Sequence, residues 1–159
     1  MKKVILLFAF AALSLQNINA TKRIYTKNDS IRAEKIMKQA ASQPAGTNTI
    51  VYIGRQLLGV PYVAQTLEKG KTESLVINTM QLDCTTFVEN VLAMYLCVKN
   101  KTTRFADFCS NIQKIRYAGG KVSYPSRLHY FSTWIEDNTK KGIVHEQQAP
   151  NPPFTAKQT

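Results

Sequence analysis

Apolar residues recur at three- and four-residue steps in five stretches of the chain, and each stretch predicts an amphipathic helix. The first carries Ala33, Ile36, Met37 and Ala40 behind the capping side chains Asn28, Asp29 and Ser30, and it stops at a turn containing Pro44 and Gly46. The second, capped by Thr47, presents Ile50, Val51, Gly54, Leu57 and Leu58, and Gly59 with Pro61 closes it. In the third, Asp83 is the N-cap, Cys84 lies in the first turn, and Phe87, Val88, Val91, Leu92 and Tyr95 form the stripe. The fourth, about 104–116, is capped by Thr102 or Thr103, carries Phe105, Phe108, Cys109, Ile112 and Ile115, and stops at Gly119-Gly120. The fifth, about 130–141, turns Tyr130, Trp134 and Ile135 inward and ends at Gly142.

Between the helices the pattern predicts extended chain at Glu73 to Thr79, around Leu75, Val76 and Ile77, and again at Val122 to Tyr124 and from Ile143-Val144. Thr21 to Lys27 reads as a polar lead-in, and Gln147 to Thr159 as a Pro-rich polar tail. Gly59-Val60-Pro61-Tyr62 reads as a tight turn that projects Tyr62 from a loop just upstream of the Cys84 helix, with plain packing of the ring as the alternative.

With 159 residues, 44% hydrophobic and 19% charged, the chain can build one domain with a real core. Residues 1–20 stand apart. Lys2 and Lys3 precede an apolar run from Val4 to Leu15, and Ile18-Asn19-Ala20 is an ending that signal peptidase accepts, so residues 1–20 read as a secretory signal and 21–159 as the mature domain. The run is too short for a stable transmembrane helix, which predicts no membrane insertion and a periplasmic or secreted protein. Losing the two lysines lowers the formal charge from +11 to +9. Lys and Arg are scattered with no recognition motif, which argues against nucleic acid; anionic envelope polymers, lipid headgroups or simple solubility account for the excess.

The three cysteines are Cys84, Cys97 and Cys109, an odd number for an oxidising compartment. Cys97 and Cys109 lie on apolar helix faces and read as core. For Cys84 two readings stand side by side. The N–H groups and positive dipole end of a helix's first turn favour a thiolate, the form of cysteine that attacks carbonyls. Position alone favours packing, because Cys84 also falls on the stripe with Phe87, Val88 and Val91.

Arg127-Leu128-His129-Tyr130-Phe131 places a cation, an imidazole and two aromatic rings in five residues, a mix suited to a polar anionic ligand, with a solvent-facing Arg and a hydrogen-bonded His as the bland alternative. No zinc spacing, phosphate-binding glycine loop or paired-carboxylate signature is present, so no metal and no cofactor is expected. The chain has neither an internal repeat nor a heptad array, and no motif sets an oligomeric state.

Four ordered motifs carry a resemblance. They are Leu58-Gly59-Val60-Pro61-Tyr62-Val63-Ala64 with Thr66-Leu67-Glu68; Leu82-Asp83-Cys84-Thr85-Thr86-Phe87-Val88-Glu89-Asn90; Ile115-Arg116-Tyr117-Ala118-Gly119-Gly120; and Ser126-Arg127-Leu128-His129-Tyr130-Phe131-Ser132 with Trp134-Ile135 and Asp137-Asn138. Through them the chain resembles the N-acetylmuramoyl-L-alanine amidase-like branch of the NlpC-type, papain-like cysteine hydrolases. The resemblance implies an α+β papain-like fold and hydrolysis of the amide between the lactyl group of N-acetylmuramic acid and L-alanine in peptidoglycan fragments, with some relatives acting on anhydro-muropeptides. It implies Cys84 as nucleophile, Tyr62 bordering it, and Asp83, Thr85, Arg127, His129 and Tyr130 as substrate-binding residues.

The same resemblance implies a histidine base on a sheet strand well downstream of the nucleophile helix. His129 and His145 are the two histidines, and neither stands in such a strand; His129 matches the substrate-binding motif instead. The expectation is therefore a helix-rich N-terminal portion of a longer enzyme, with most of the β-sheet beyond the C-terminus, marginal stability and little or no amidase activity. The rival reading is a non-catalytic module that binds muropeptides of the cell envelope. Fast labelling of Cys84 by a thiol reagent separates the two.

Overall fold

Two buried charges, Glu89 and Arg116, sit 2% and 3% exposed where the helices Cys84–Lys99 and Phe105–Arg116 pack together. They organise the architecture of this computed structural model, which describes residues 21–147. The elements run β1 (Arg23–Ile24), α1 (Lys27–Ala41), α2 (Thr49–Gln56), β2 (Leu75–Val76), α3 (Cys84–Lys99), α4 (Phe105–Arg116) and α5 (Phe131–Lys140), with 3-10 turns at Ala118–Gly120 and Tyr124–Ser126. The result is a helix-rich α+β arrangement whose sheet is one parallel pair, Arg23 opposite Leu75 and Ile24 opposite Val76. Residues 1–20, expected to be a secretory signal, and 148–159, nearly all of the expected Pro-rich tail, lie outside the described residues.

α3 is the central element and packs against α1, α2 and α4. Met37 from α1, Ile53 from α2, Met94 and Cys97 from α3, and Phe108, Cys109, Ile112 and Ile115 from α4 are all but fully buried around it. The α4 stripe is thus the one read from the sequence. The α3 stripe is not. Of the expected residues Val91 is buried, but the buried face otherwise runs through Thr86, Glu89, Asn90, Ala93, Met94 and Cys97, while Phe87, Val88, Leu92 and Tyr95 are half-buried. Glu89 and Asn90 look like surface residues in sequence, yet Glu89 bonds Arg116 and Asn90 donates to the Thr86 carbonyl at 2.8 Å. Hydrogen bonding is what lets Glu89 and the Asn90 amide N–H occupy core positions, while Asn90 Oδ1 is buried with no partner among the described residues.

Four other stretches differ from expectation. In α2, Ile53 and Leu57 face inward, and Ile50, Val51 and Leu58 are exposed. In α5, Trp134 and Asn138 face inward, whereas Tyr130 and Ile135 point out. Asn138 takes the inner place because its amide donates to the Ile115 carbonyl at 3.0 Å and the Trp134 carbonyl at 2.9 Å. The strand expected from Ile143-Val144 is absent from the described residues; both backbone N–H groups instead close the end of α5 on the Asn138 carbonyl. Tyr124 belongs to a 3-10 turn, which Pro125 favours with its fixed φ.

The caps also shift. Thr26, not the Asn28–Ser30 group, is the N-cap of α1, and Asp29 is its partner in a capping box. Asn48 caps α2, and the first N–H of α4 is held by Glu34 of α1 at 3.1 Å rather than by Thr102 or Thr103. Asp29 is 3% exposed and accepts four hydrogen bonds, from the N–H and hydroxyl of Thr26 at 2.8 and 2.6 Å and of Thr79 at 2.7 and 3.1 Å. It therefore pins the start of α1 to the segment that enters α3. Asp29→Ala is expected to lose the cap and orphan the buried Thr79 donors, costing about 2–3 kcal/mol in urea unfolding.

Candidate active site

α3 begins where two loops are stapled together. Val63 N–H donates to the Leu82 carbonyl and Leu82 N–H to the Pro61 carbonyl, each at 3.1 Å, so the Tyr62 loop runs alongside the residue that precedes Asp83. Gly59, at φ +80°, makes the turn that permits this. Tyr62 projects from the loop 72% exposed, as its sequence context suggested. Asn78 shapes the other approach by accepting from the N–H groups of Met80 and Gln81, each at 3.0 Å.

Asp83 caps α3 in a reciprocal box with Thr86. Its carboxylate accepts the Thr86 N–H at 2.8 Å, and the Thr86 hydroxyl accepts the Asp83 N–H at 2.8 Å. With Asp83 occupied in this way, Cys84 takes the first helical position, and the N–H groups of Cys84 and Thr85 have no backbone partner among the described residues. Two free donors at the positive end of a sixteen-residue helix suit a developing oxyanion.

The Cys84 sulfur is exposed, and its nearest polar contact is the Thr85 hydroxyl at 4.0 Å. The packing alternative for Cys84 is thereby excluded, because the helix turns this position away from the core. Cys97 and Cys109 are buried, and burial pushes both thiols up to about 11. Near neutral pH, iodoacetamide is expected to modify Cys84 alone in the native chain and all three cysteines after denaturation, as read by peptide mass mapping.

Beside the Cys84 turn lies a cleft of about 240 Å³, lined on one side by Asp83, Thr85 and Glu89 and on the other by Glu68, Arg127 and His129. Four of the residues singled out from the sequence, Asp83, Thr85, Arg127 and His129, thus share one depression. Cys84 borders this cleft without lining it, and Tyr62 and Tyr130 also stand outside it; all three are exposed. His129 is not hydrogen-bonded to the sulfur. Its Nε2 pairs with the Tyr124 carbonyl at 2.9 Å, and its ring packs on Tyr124 at 4.5 Å.

Arg127 differs most from its sequence reading. It is 8% exposed rather than a free fork, its Nη2 bonds Glu68 at 2.6 Å, and its Nη1 lies 3.5 Å from Glu73. Glu73 in turn accepts the Tyr117 hydroxyl at 2.7 Å. In the cleft lining itself, Arg116 bonds Glu89 at 2.8 Å and the Val76 carbonyl at 2.6 Å, joining α4, α3 and β2. Sequence reasoning missed Glu68, Glu73, Glu89 and Arg116 as a network. Glu68, Glu89 and Arg116 do fall within the quoted motifs, but partners separated by 27 and 59 positions leave no periodic signal.

Among the described residues no cluster of three His, Cys, Asp or Glu side chains is placed to hold a metal ion, and no helix is long and apolar enough to cross a membrane. A family model described as AmiA-like, N-acetylmuramoyl-L-alanine amidase-like, matches residues 52–156. Among solved structures, an N-acetylmuramoyl-L-alanine amidase from Bacteroides uniformis ATCC 8492 is 41% identical over 70% of this chain and 41% of its own, with a TM-score of 0.53. A second structure with the same description and source is 40% identical over 69% of this chain and 40% of its own, with a TM-score of 0.52. A Bacteroides fragilis structure described provisionally as a xylanase is 47% identical over 57% of this chain and 39% of its own, with a TM-score of 0.53. The chain therefore spans about two fifths of the length of these structures. No curated protein matches it significantly.

Proposed function

The chain belongs to the AmiA-like family of N-acetylmuramoyl-L-alanine amidase-like proteins, and on that footing we propose that it is an exported cysteine amidase of NlpC-type, papain-like descent. Its substrates are peptidoglycan fragments, and the bond it cuts joins the lactyl group of N-acetylmuramic acid to L-alanine. The observation that carries the reading is the exposed Cys84 thiol at the first position of α3, beside a polar cleft and two unpartnered backbone N–H groups. Export, to the periplasm or beyond, follows from the signal-like residues 1–20.

The chemistry follows from that arrangement. The Cys84 thiolate attacks the lactyl carbonyl, and the oxyanion forms against the N–H groups of Cys84 and Thr85. Collapse expels the amine of L-alanine and leaves a thioester on Cys84, which water then hydrolyses. The amine must gain a proton as it leaves, a task that a positioned imidazole accelerates by roughly 10²–10⁴-fold. Neither histidine ring among the described residues is hydrogen-bonded to the sulfur. Turnover by these residues alone is accordingly slow, and substrate binding by Asp83, Thr85, Arg127, His129 and the flanking Tyr62 and Tyr130 exceeds catalytic power.

A glycosidase reading has less support. It calls for two carboxyl groups free to act across a glycosidic bond, whereas Glu68 and Glu89 are each bonded to an arginine and Glu73 to Arg127 and Tyr117. The test is release of L-alanine from N-acetylmuramoyl-L-alanine at high chain concentration, with and without Cys84. Release independent of Cys84 refutes the proposal.

A further inference from the structure

Arg127 is fixed, but its partner is not. Its backbone bridges Tyr117, the following N–H of Leu128 donates to the Arg116 carbonyl at 3.0 Å, and its guanidinium packs 5.2 Å from the Tyr124 ring centre. The two ends of its fork are unequally used. Nη2 bonds Glu68 at 2.6 Å, while Nη1 is buried and has no hydrogen-bond partner among the described residues, its nearest charge being Glu73 at 3.5 Å.

Glu68 itself is 59% exposed, in a loop without regular structure, two residues before Gly70 at φ +113°. Glu73 is 11% exposed and also tied to Tyr117, so it cannot leave as readily. Glu68 also stands between the cleft beside Cys84 and a second recess of about 270 Å³ that Lys69, Lys71 and Tyr124 help to line. Moving Glu68 would join the two spaces and open a buried, rigid guanidinium flanked by two exposed lysines.

We propose that Glu68 is a built-in stand-in for a substrate carboxylate, displaced from Arg127 when an anionic stem peptide enters the cleft. Exchange of one carboxylate for another keeps the local charge count unchanged, so Arg127 and Glu73 need not be desolvated again. Displacement also lets an incoming carboxylate use both ends of the fork, including the unpartnered Nη1. The proposal rests on the amidase reading and adds to it a preference for muropeptides with a free carboxylate near the scissile amide.

The test is calorimetric titration in the Cys84→Ala background, so that ligand survives, with N-acetylmuramoyl-L-alanyl-D-glutamate and with its diamide. The free acid is expected to bind more tightly than the diamide, and Glu68→Gln to tighten the acid alone, by roughly two- to five-fold, the scale of an exposed ion pair. Arg127→Lys is expected to erase the difference between acid and diamide. Equal effects of Glu68→Gln on both ligands, or none on either, overturn the stand-in while leaving the amidase reading intact. Failure of both ligands to bind overturns the two together.

Discussion

Cys84→Ala is expected to reduce release of L-alanine from N-acetylmuramoyl-L-alanine to the uncatalysed background, a loss of roughly 10²-fold or more. Without the sulfur no thioester forms, and the cleft can only bind. The fold should be unaffected, since the side chain is exposed and the cap is made by Asp83 and Thr86. Cys84→Ala should therefore bind the intact ligand as well as the parent chain does. His129→Ala supplies the contrast. Its ring is committed to Tyr124, so its loss should weaken binding and raise KM while leaving the Cys84-dependent kcat within a few-fold. A collapse of kcat in His129→Ala would make that imidazole the base.

Glu89→Ala is expected to destabilise the domain by about 3–5 kcal/mol, a large part of the 5–15 kcal/mol typical of a whole domain. Arg116 would be left almost fully buried with its charge uncompensated, keeping only the Val76 carbonyl and losing the tie between α3 and α4. Urea unfolding measures the loss. Replacing both partners, Glu89→Leu with Arg116→Met, should recover most of it, because the pair's own desolvation cost disappears along with the attraction. If the double variant were as unstable as the single one, the damage would lie in packing rather than in the orphaned charge.

The start of α3 was legible because its signals are local: Asp83 as cap, Cys84 next, then an apolar period. The same holds for α4 through Phe108, Cys109, Ile112 and Ile115, with Arg116 at its last position the one buried polar residue of the helix. Periodicity misled where a polar side chain finds its partner far along the chain. Glu89 needs Arg116, and Asn138 reaches Ile115, so both lie inside faces that composition would turn outward. β1 was missed because two residues, one of them Arg23, hold too little pattern; its pairing with β2 is what makes it a strand. At the site, the sequence placed Asp83, Thr85, Arg127 and His129 together through their motifs. It could not reveal that Arg127 already holds Glu68, since that contact depends on how the 67–74 loop folds back.

Because Cys84 is exposed while Cys97 and Cys109 are buried, fast labelling of Cys84, expected from the sequence to separate the two readings, no longer tells a nucleophile from a bystander. The discriminating reagent is an N-acetylmuramic acid derivative whose lactyl carboxyl is replaced by a chloromethyl ketone, followed by peptide mass mapping. A catalytic Cys84 must carry the adduct, acquire it faster than it reacts with a sugar-free chloromethyl ketone, and be protected by excess N-acetylmuramoyl-L-alanine. Reaction at the sugar-free rate without protection, or an adduct on His129 in place of Cys84, would contradict the assignment of this sulfur as the nucleophile.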